Sequence, residues 1–130
     1  RAGGPGPPLA SLYSKQFLAA SRNPRHAGRV DPPACTVTVE NPACGDLMKL
    51  SVRMEEGRAA RAGFLAKGCT ASIAAGSALA EWLTGRLREE ITPEQAAAAV
   101  ERALGGLPQA SRHVLALCAD AVSALLRAGA

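Results

Sequence analysis

DLMKLSVRMEEGRAARAGFLAKGCTASIAAGSALAEWLTG, residues 46–85, changes its period midway, and that change decides the fold. Up to Lys67 the apolar residues recur at every second position. Met48, Leu50, Val52 and Met54 alternate with Lys49, Ser51, Arg53 and Glu55, which reads as a strand with one buried face. Glu56-Gly57 supplies a turn, and Ala60, Ala62, Phe64 and Ala66 then fall on one side of a following strand. After Gly68 the spacing becomes helical: Ile73, Ser77, Ala80 and Leu83 fit a helix over about residues 70–84, stopped by Gly85 just past its end.

Upstream, Thr36 to Glu40 is β-branched and alternating and makes a first strand. Three sequential strands with short links imply an antiparallel meander. Downstream, Thr92-Pro93-Glu94-Gln95 combines an N-cap, a proline at the first helical position and a capping-box glutamine, opening a helix that ends at Gly105-Gly106. A last helix is expected over about residues 111–128, with Val114, Leu117, Cys118, Ala121 and Leu125 as its apolar stripe. A short amphipathic helix is expected over residues 9–20, followed by a turn at Asn23-Pro24-Arg25-His26-Ala27-Gly28. The Gly- and Pro-rich residues 1–8 read as a disordered tail, and residues 9–130 as one domain. Strands first and helices afterwards predict an α+β domain, a three-stranded antiparallel sheet with several helices packed on one face. There is no internal repeat.

The 130 residues suit a single apolar core, and with 3% aromatic residues that core must be filled by Ala, Leu, Val, Ile and Met. The net charge of +4 comes from scattered Lys and Arg, which argues against a nucleic-acid footprint. No apolar run reaches the roughly 18 residues of a membrane span, and the expectation is a soluble cytoplasmic protein. In such a compartment thiols stay reduced, so Cys35, Cys44, Cys69 and Cys118 point to metal or sulfur chemistry rather than disulfides.

Cys44 and Asp46 share the polar turn Asn41-Pro42-Ala43-Cys44-Gly45-Asp46, where a thiol and a carboxylate two residues apart reach one ion. Cys69 stands in Lys67-Gly68-Cys69-Thr70, the step from strand to helix, where unpaired backbone N–H groups stabilise the thiolate that binds metal or attacks sulfur. In a meander the first turn and the end of the third strand lie at the same end of the sheet, so Cys44, Asp46 and Cys69 are predicted neighbours. His113, near the start of the last helix, supplies a fourth ligand if that end docks beside them. Two thiolates, a carboxylate and an imidazole suit tetrahedral zinc or an iron–sulfur cluster.

Asn41 to Asp46, Lys67-Gly68-Cys69-Thr70-Ala71-Ser72-Ile73-Ala74, and Arg112-His113 followed by Leu117 and Asp120-Ala121-Val122 resemble the three signature segments of the IscU/NifU iron–sulfur cluster scaffolds. Tyr13-Ser14-Lys15 with Asn23-Pro24-Arg25 and Gly28 resembles that family's N-terminal helix and turn, so the resemblance runs from Leu12 to Leu126. It implies a scaffold with no turnover of its own, which takes sulfur from a cysteine desulfurase, assembles a [2Fe–2S] cluster from iron and passes it to client apo iron–sulfur proteins. It also implies zinc binding at the same place and a monomer or weak dimer. Carried over by motif, Cys44 and Cys69 would be ligands, Asp46 the carboxylate associated with cluster lability, and His113 the flanking imidazole.

One departure bears on the ligand set. The family's third cysteine directly follows the histidine, and that place is Val114 here. Cys118 lies one helical turn further, about 6 Å along the axis, and is the candidate replacement; the other reading is a buried structural thiol. Cys35, nine residues before Cys44, reads as packing. The segment Leu107-Pro108-Gln109-Ala110-Ser111 keeps only the first two residues of the family's chaperone-binding stretch. The alternative function is a zinc-bound persulfide carrier that never holds a cluster, and a third reading is a zinc site that only supports the fold.

Overall fold

Period-two alternation produces three strands: β1 (Cys35–Asn41), β2 (Asp46–Glu55) and β3 (Arg58–Lys67), paired antiparallel in the order β1-β2-β3. The computed structural model describes residues 14–22, 26–32, 34–41 and 45–129. The tail at residues 1–8, the expected start of the first helix at residues 9–13, Asn23-Pro24-Arg25 and Cys44 lie outside the described residues. Register places Leu50 between Val37 and Phe64, Met48 between Val39 and Ala66, and Val52 between Cys35 and Ala62. Each of these rows is apolar, and together they form one face of the sheet.

The helices are α1 (Lys15–Arg22), α2 (Thr70–Leu83), α3 (Pro93–Ala103) and α4 (His113–Arg127), with 3-10 turns at Arg88–Glu90 and Gln109–Ser111. All gather over the apolar face. α2 lies on β3 and β2, α4 on β1 and β2, and α1 and α3 pack against α2. This is the α+β architecture that the sequence predicts. None of the described helices is long and apolar enough to cross a membrane.

Local chemistry sets the helix ends. The Thr92 hydroxyl accepts from the Gln95 N–H at 3.1 Å with Pro93 at the first turn of α3, and Gly85 takes the left-handed conformation after α2. α4 begins at His113 rather than near residue 111, because residues 109–111 form a 3-10 turn after Pro108.

Two expectations on packing are corrected. In α2 the buried surface extends beyond the periodic residues Ile73, Ser77, Ala80 and Leu83. Ala71, Ser72, Ala74, Ala75, Gly76, Ala78 and Leu79 are buried as well, while Ile73 is only half-buried. The cause is position, since α2 has the sheet beneath it and α1, α3 and α4 around it. In β3 a register irregularity opposite Arg53 and Met54 pairs Met54 with Ala59, so Ala59 rather than Ala60 is fully buried.

A close approach makes this packing possible. A Cβ on Gly76 would lie 2.3 Å from Phe64 Cδ2 and 2.7 Å from Cε2, so α2 sits directly on the Phe64 ring. Gly76→Ala gains helix propensity of about 1 kcal/mol but overpacks this contact by about 1–3 kcal/mol. The expected outcome is a net loss of stability in urea unfolding, against the gain that the same substitution gives on an exposed helix.

Candidate metal centre

β1 ends, β2 begins and β3 ends at one end of the sheet, where Asn41 pairs with Asp46 and Leu47 with Lys67. Gly68, with φ +128°, then turns the chain into α2. That conformation favours glycine, and space demands it too: a Cβ there would stand 2.1 Å from Asp46 Oδ1. The Gly68-Cys69 step thus lets the helix start close over the Asp46 carboxylate. Cys69 is the N-cap of α2 and its backbone N–H donates to Asp46 Oδ1 at 3.0 Å.

Asp46 is 1% exposed. Its Oδ2 lies 2.7 Å from His113 Nε2 and 3.6 Å from Cys69 Sγ, and that sulfur is 3.8 Å from His113 Nε2. The three ligand atoms lie within 4.8 Å of one another. His113 Nδ1 faces the Ala110 carbonyl at 3.2 Å. A carbonyl only accepts, so Nδ1 carries hydrogen and Nε2 is the nitrogen turned to the centre. An ion pair between Arg112 and Glu101 ties the start of α4 to α3.

Bond lengths of about 2.0–2.3 Å at tetrahedral angles place ligand atoms about 3.3–3.7 Å apart. The 3.6 Å distance from Cys69 Sγ to Asp46 Oδ2 falls in that range, and the 3.8 Å distance to His113 Nε2 lies just above it. The 2.7 Å contact is a hydrogen-bond distance, shorter than that spacing by at least about 0.6 Å. The donor set of thiol, imidazole and carboxylate fits zinc or iron.

Burial of Asp46 by itself would raise its pKa, but the Cys69 N–H, His113 and the Cys69 thiol stabilise the carboxylate more, and the net shift is below the ordinary 3.8. A carboxyl held low in the folded state contributes stability above its unfolded pKa and loses it as the pH falls through the folded value. Wild-type protein is therefore expected to lose stability as the pH falls below 3.8, and Asp46→Asn to flatten that limb of a pH series of thermal melts. An unchanged limb would mean that these hydrogen bonds do not hold the carboxylate.

The structure brings Asp46, Cys69 and His113 together and leaves Cys118 elsewhere. Cys118 is fully buried in α4, with Sγ 3.9 Å from the Ala75 carbonyl, and burial pushes its pKa up to about 12. It therefore stays a neutral thiol in the core, because α4 docks at the depth that buries Val114 and Cys118 together. Cys35 is half-buried against the core at the start of β1. Ser72 was not singled out from sequence. It is fully buried with Oγ 3.4 Å from Cys69 Sγ, and its position three residues into the same helix start is the signal that points to it.

A family model for the NifU-like N terminal domain matches residues 12–128. Iron-sulfur cluster assembly scaffold protein IscU 1 of Archaeoglobus fulgidus is 37% identical over 114 residues, which cover 85% of this chain and 72% of that protein. The IscU scaffold protein of Azotobacter vinelandii is 37% identical over 120 residues, covering 88% of this chain and 91% of its own. The crystal structure of a nitrogen-fixing NifU-like protein (N-terminal) from Brucella abortus superposes with a TM-score of 0.70 at 23% identity, over 92% of this chain and 95% of that one. That last likeness is one of fold.

Proposed function

Because the chain belongs to the NifU-like N-terminal domain family, we propose that it is an iron–sulfur cluster assembly scaffold, a protein that carries its cluster as cargo and turns over no substrate. The observation that carries this reading is the convergence of Asp46, Cys69 and His113 at one end of the sheet. The names of the relatives favour it over a persulfide carrier that never holds a cluster.

The proposed ligands are Cys69, His113 and Cys44, with Asp46 beside them. Cys44 precedes Asp46 by two residues, and two chain steps span at most about 7 Å between Cα atoms. Asp46 holds the Cys69 backbone and the His113 ring in place and supplies a carboxylate that an iron or zinc ion meets as it enters. The Ser72 hydroxyl beside Cys69 Sγ orients the thiol. Iron and sulfide form a [2Fe–2S] cluster on these residues, and zinc competes for the same donors. A cysteine desulfurase supplies the sulfur and client apoproteins receive the cluster, in the cytoplasm.

Anaerobic incubation with ferrous iron, cysteine, a desulfurase and a thiol reductant that takes persulfide sulfur to sulfide tests this. The expected result is visible charge-transfer absorption, with iron and acid-labile sulfide retained in equal amounts. If a relative loads under the same conditions and this chain retains neither, the scaffold reading fails. Persulfide detected by mass spectrometry without iron would establish the carrier instead.

A further inference from the structure

At the outer edge of β3, Ala27 forms a parallel bridge with Phe64, and residues 28–31 continue past Gly63 toward Arg53 on β2. The Phe64 N–H donates to the His26 carbonyl at 3.1 Å and the Gly28 N–H to the Phe64 carbonyl at 2.8 Å. The chain crosses so close to Gly63 that a Cβ there would lie 2.3 Å from the Gly28 oxygen. Arg53 then fastens the end of the segment by donating to the Asp31 carbonyl at 2.6 Å. A cavity of about 370 Å³ remains between this strap and the sheet.

Its lining is basic. Arg29, Arg53 and Arg61 stand there against the single carboxylate of Asp31, with His26 at the edge. Arg53 and Arg61 are paired directly across the strands, an arrangement of like charges that costs stability. Two irregularities of the backbone fall in the same place. His26 holds φ +64° without being glycine, and the register irregularity beside Arg53 leaves Ala60 as the extra residue. Strained residues and bulges concentrate where a binding surface is shaped.

We propose that this cavity binds a phosphate ester of a small molecule, at a site separate from the metal centre. Arg53 lies seven residues along β2 from Asp46, which is about 23 Å at about 3.3 Å per residue. Guanidinium forks match phosphate oxygens two at a time. The lining holds three guanidiniums and one carboxylate, a composition that suits a phosphate ester better than a neutral or cationic ligand. The volume falls among pockets that take small organic ligands and exceeds what a bare phosphate needs.

Glycerol 3-phosphate, AMP, inorganic phosphate and sulfate, each titrated into the intact chain and followed by amide NMR shifts, provide the test. Expected is saturable binding of at least one phosphate ester, tighter than of sulfate, with shifts at Ala27, Gly28 and Gly63 and none at Cys69. Arg29→Gln and Arg61→Gln alter exposed side chains, so the fold should survive, and each should weaken binding by about tenfold. Lys49→Gln, on the same sheet face but outside the cavity lining, should not weaken it. The proposal is overturned by no saturable shift, by wild-type affinity in both arginine variants, or by equal weak binding of phosphate, ester and sulfate, which would mean an adventitious ion only.

Discussion

Cys69→Ser should abolish zinc binding at the candidate centre. Cys69 is the thiol that the structure places beside His113 Nε2 and Asp46 Oδ2, at 3.8 and 3.6 Å. A hydroxyl there is a poor ligand for zinc or iron. Losing a hydrogen-bond partner of a ligand already costs about 10–100-fold in metal affinity, so losing the ligand itself should cost more than about 100-fold. A chelator-competition titration with zinc reads the effect directly. Cys118→Ala is the matched control, because that thiol lies in the core with its proton retained. It should leave zinc affinity unchanged while lowering stability by about 1 kcal/mol. Wild-type zinc affinity in Cys69→Ser would remove the centre from this end of the sheet.

Gly68→Ala should damage fold and centre at once. The new Cβ would stand 2.1 Å from Asp46 Oδ1 and 2.9 Å from the Asp46 Cα, on a residue whose φ is +128°. Moving the carboxylate aside breaks its bond from the Cys69 N–H and its contact with His113. The expected cost is about 2–4 kcal/mol, which lowers the melting temperature by about 10 °C, together with weakened zinc binding. Gly57→Ala separates strain from collision. Gly57 also has positive φ, +74°, but nothing lies within 4 Å of its Cβ position. It should cost only about 1–2 kcal/mol and leave zinc binding intact. Equal losses in the two variants would show that backbone strain, not contact with Asp46, governs position 68.

Much of the architecture is legible in local pattern. Alternation at Met48, Leu50 and Val52 and the switch of period after Gly68 identify strands and helix, because burial of one face imposes those periods on neighbouring residues. Thr92, Pro93 and Gly85 mark helix ends through their own backbone preferences. Patterns fail where burial comes from several sides. The alanines of α2 carry no stripe to read, since most of that helix is covered by the sheet and by α1, α3 and α4.

From the residues alone come the sheet and helices, the candidate ligands Asp46, Cys69 and His113, and the resemblance that names their family. Their meeting is another matter. The Asp46 bond to the Cys69 N–H joins residues 23 apart in sequence, and that between Asp46 and His113 joins residues 67 apart. Only the docking of α4 against β1 and β2 brings the histidine into place, and that same depth of docking buries Cys118. Local preference specifies the pieces because it acts over a few residues. The centre belongs to the tertiary structure because its distances are set by how whole elements pack.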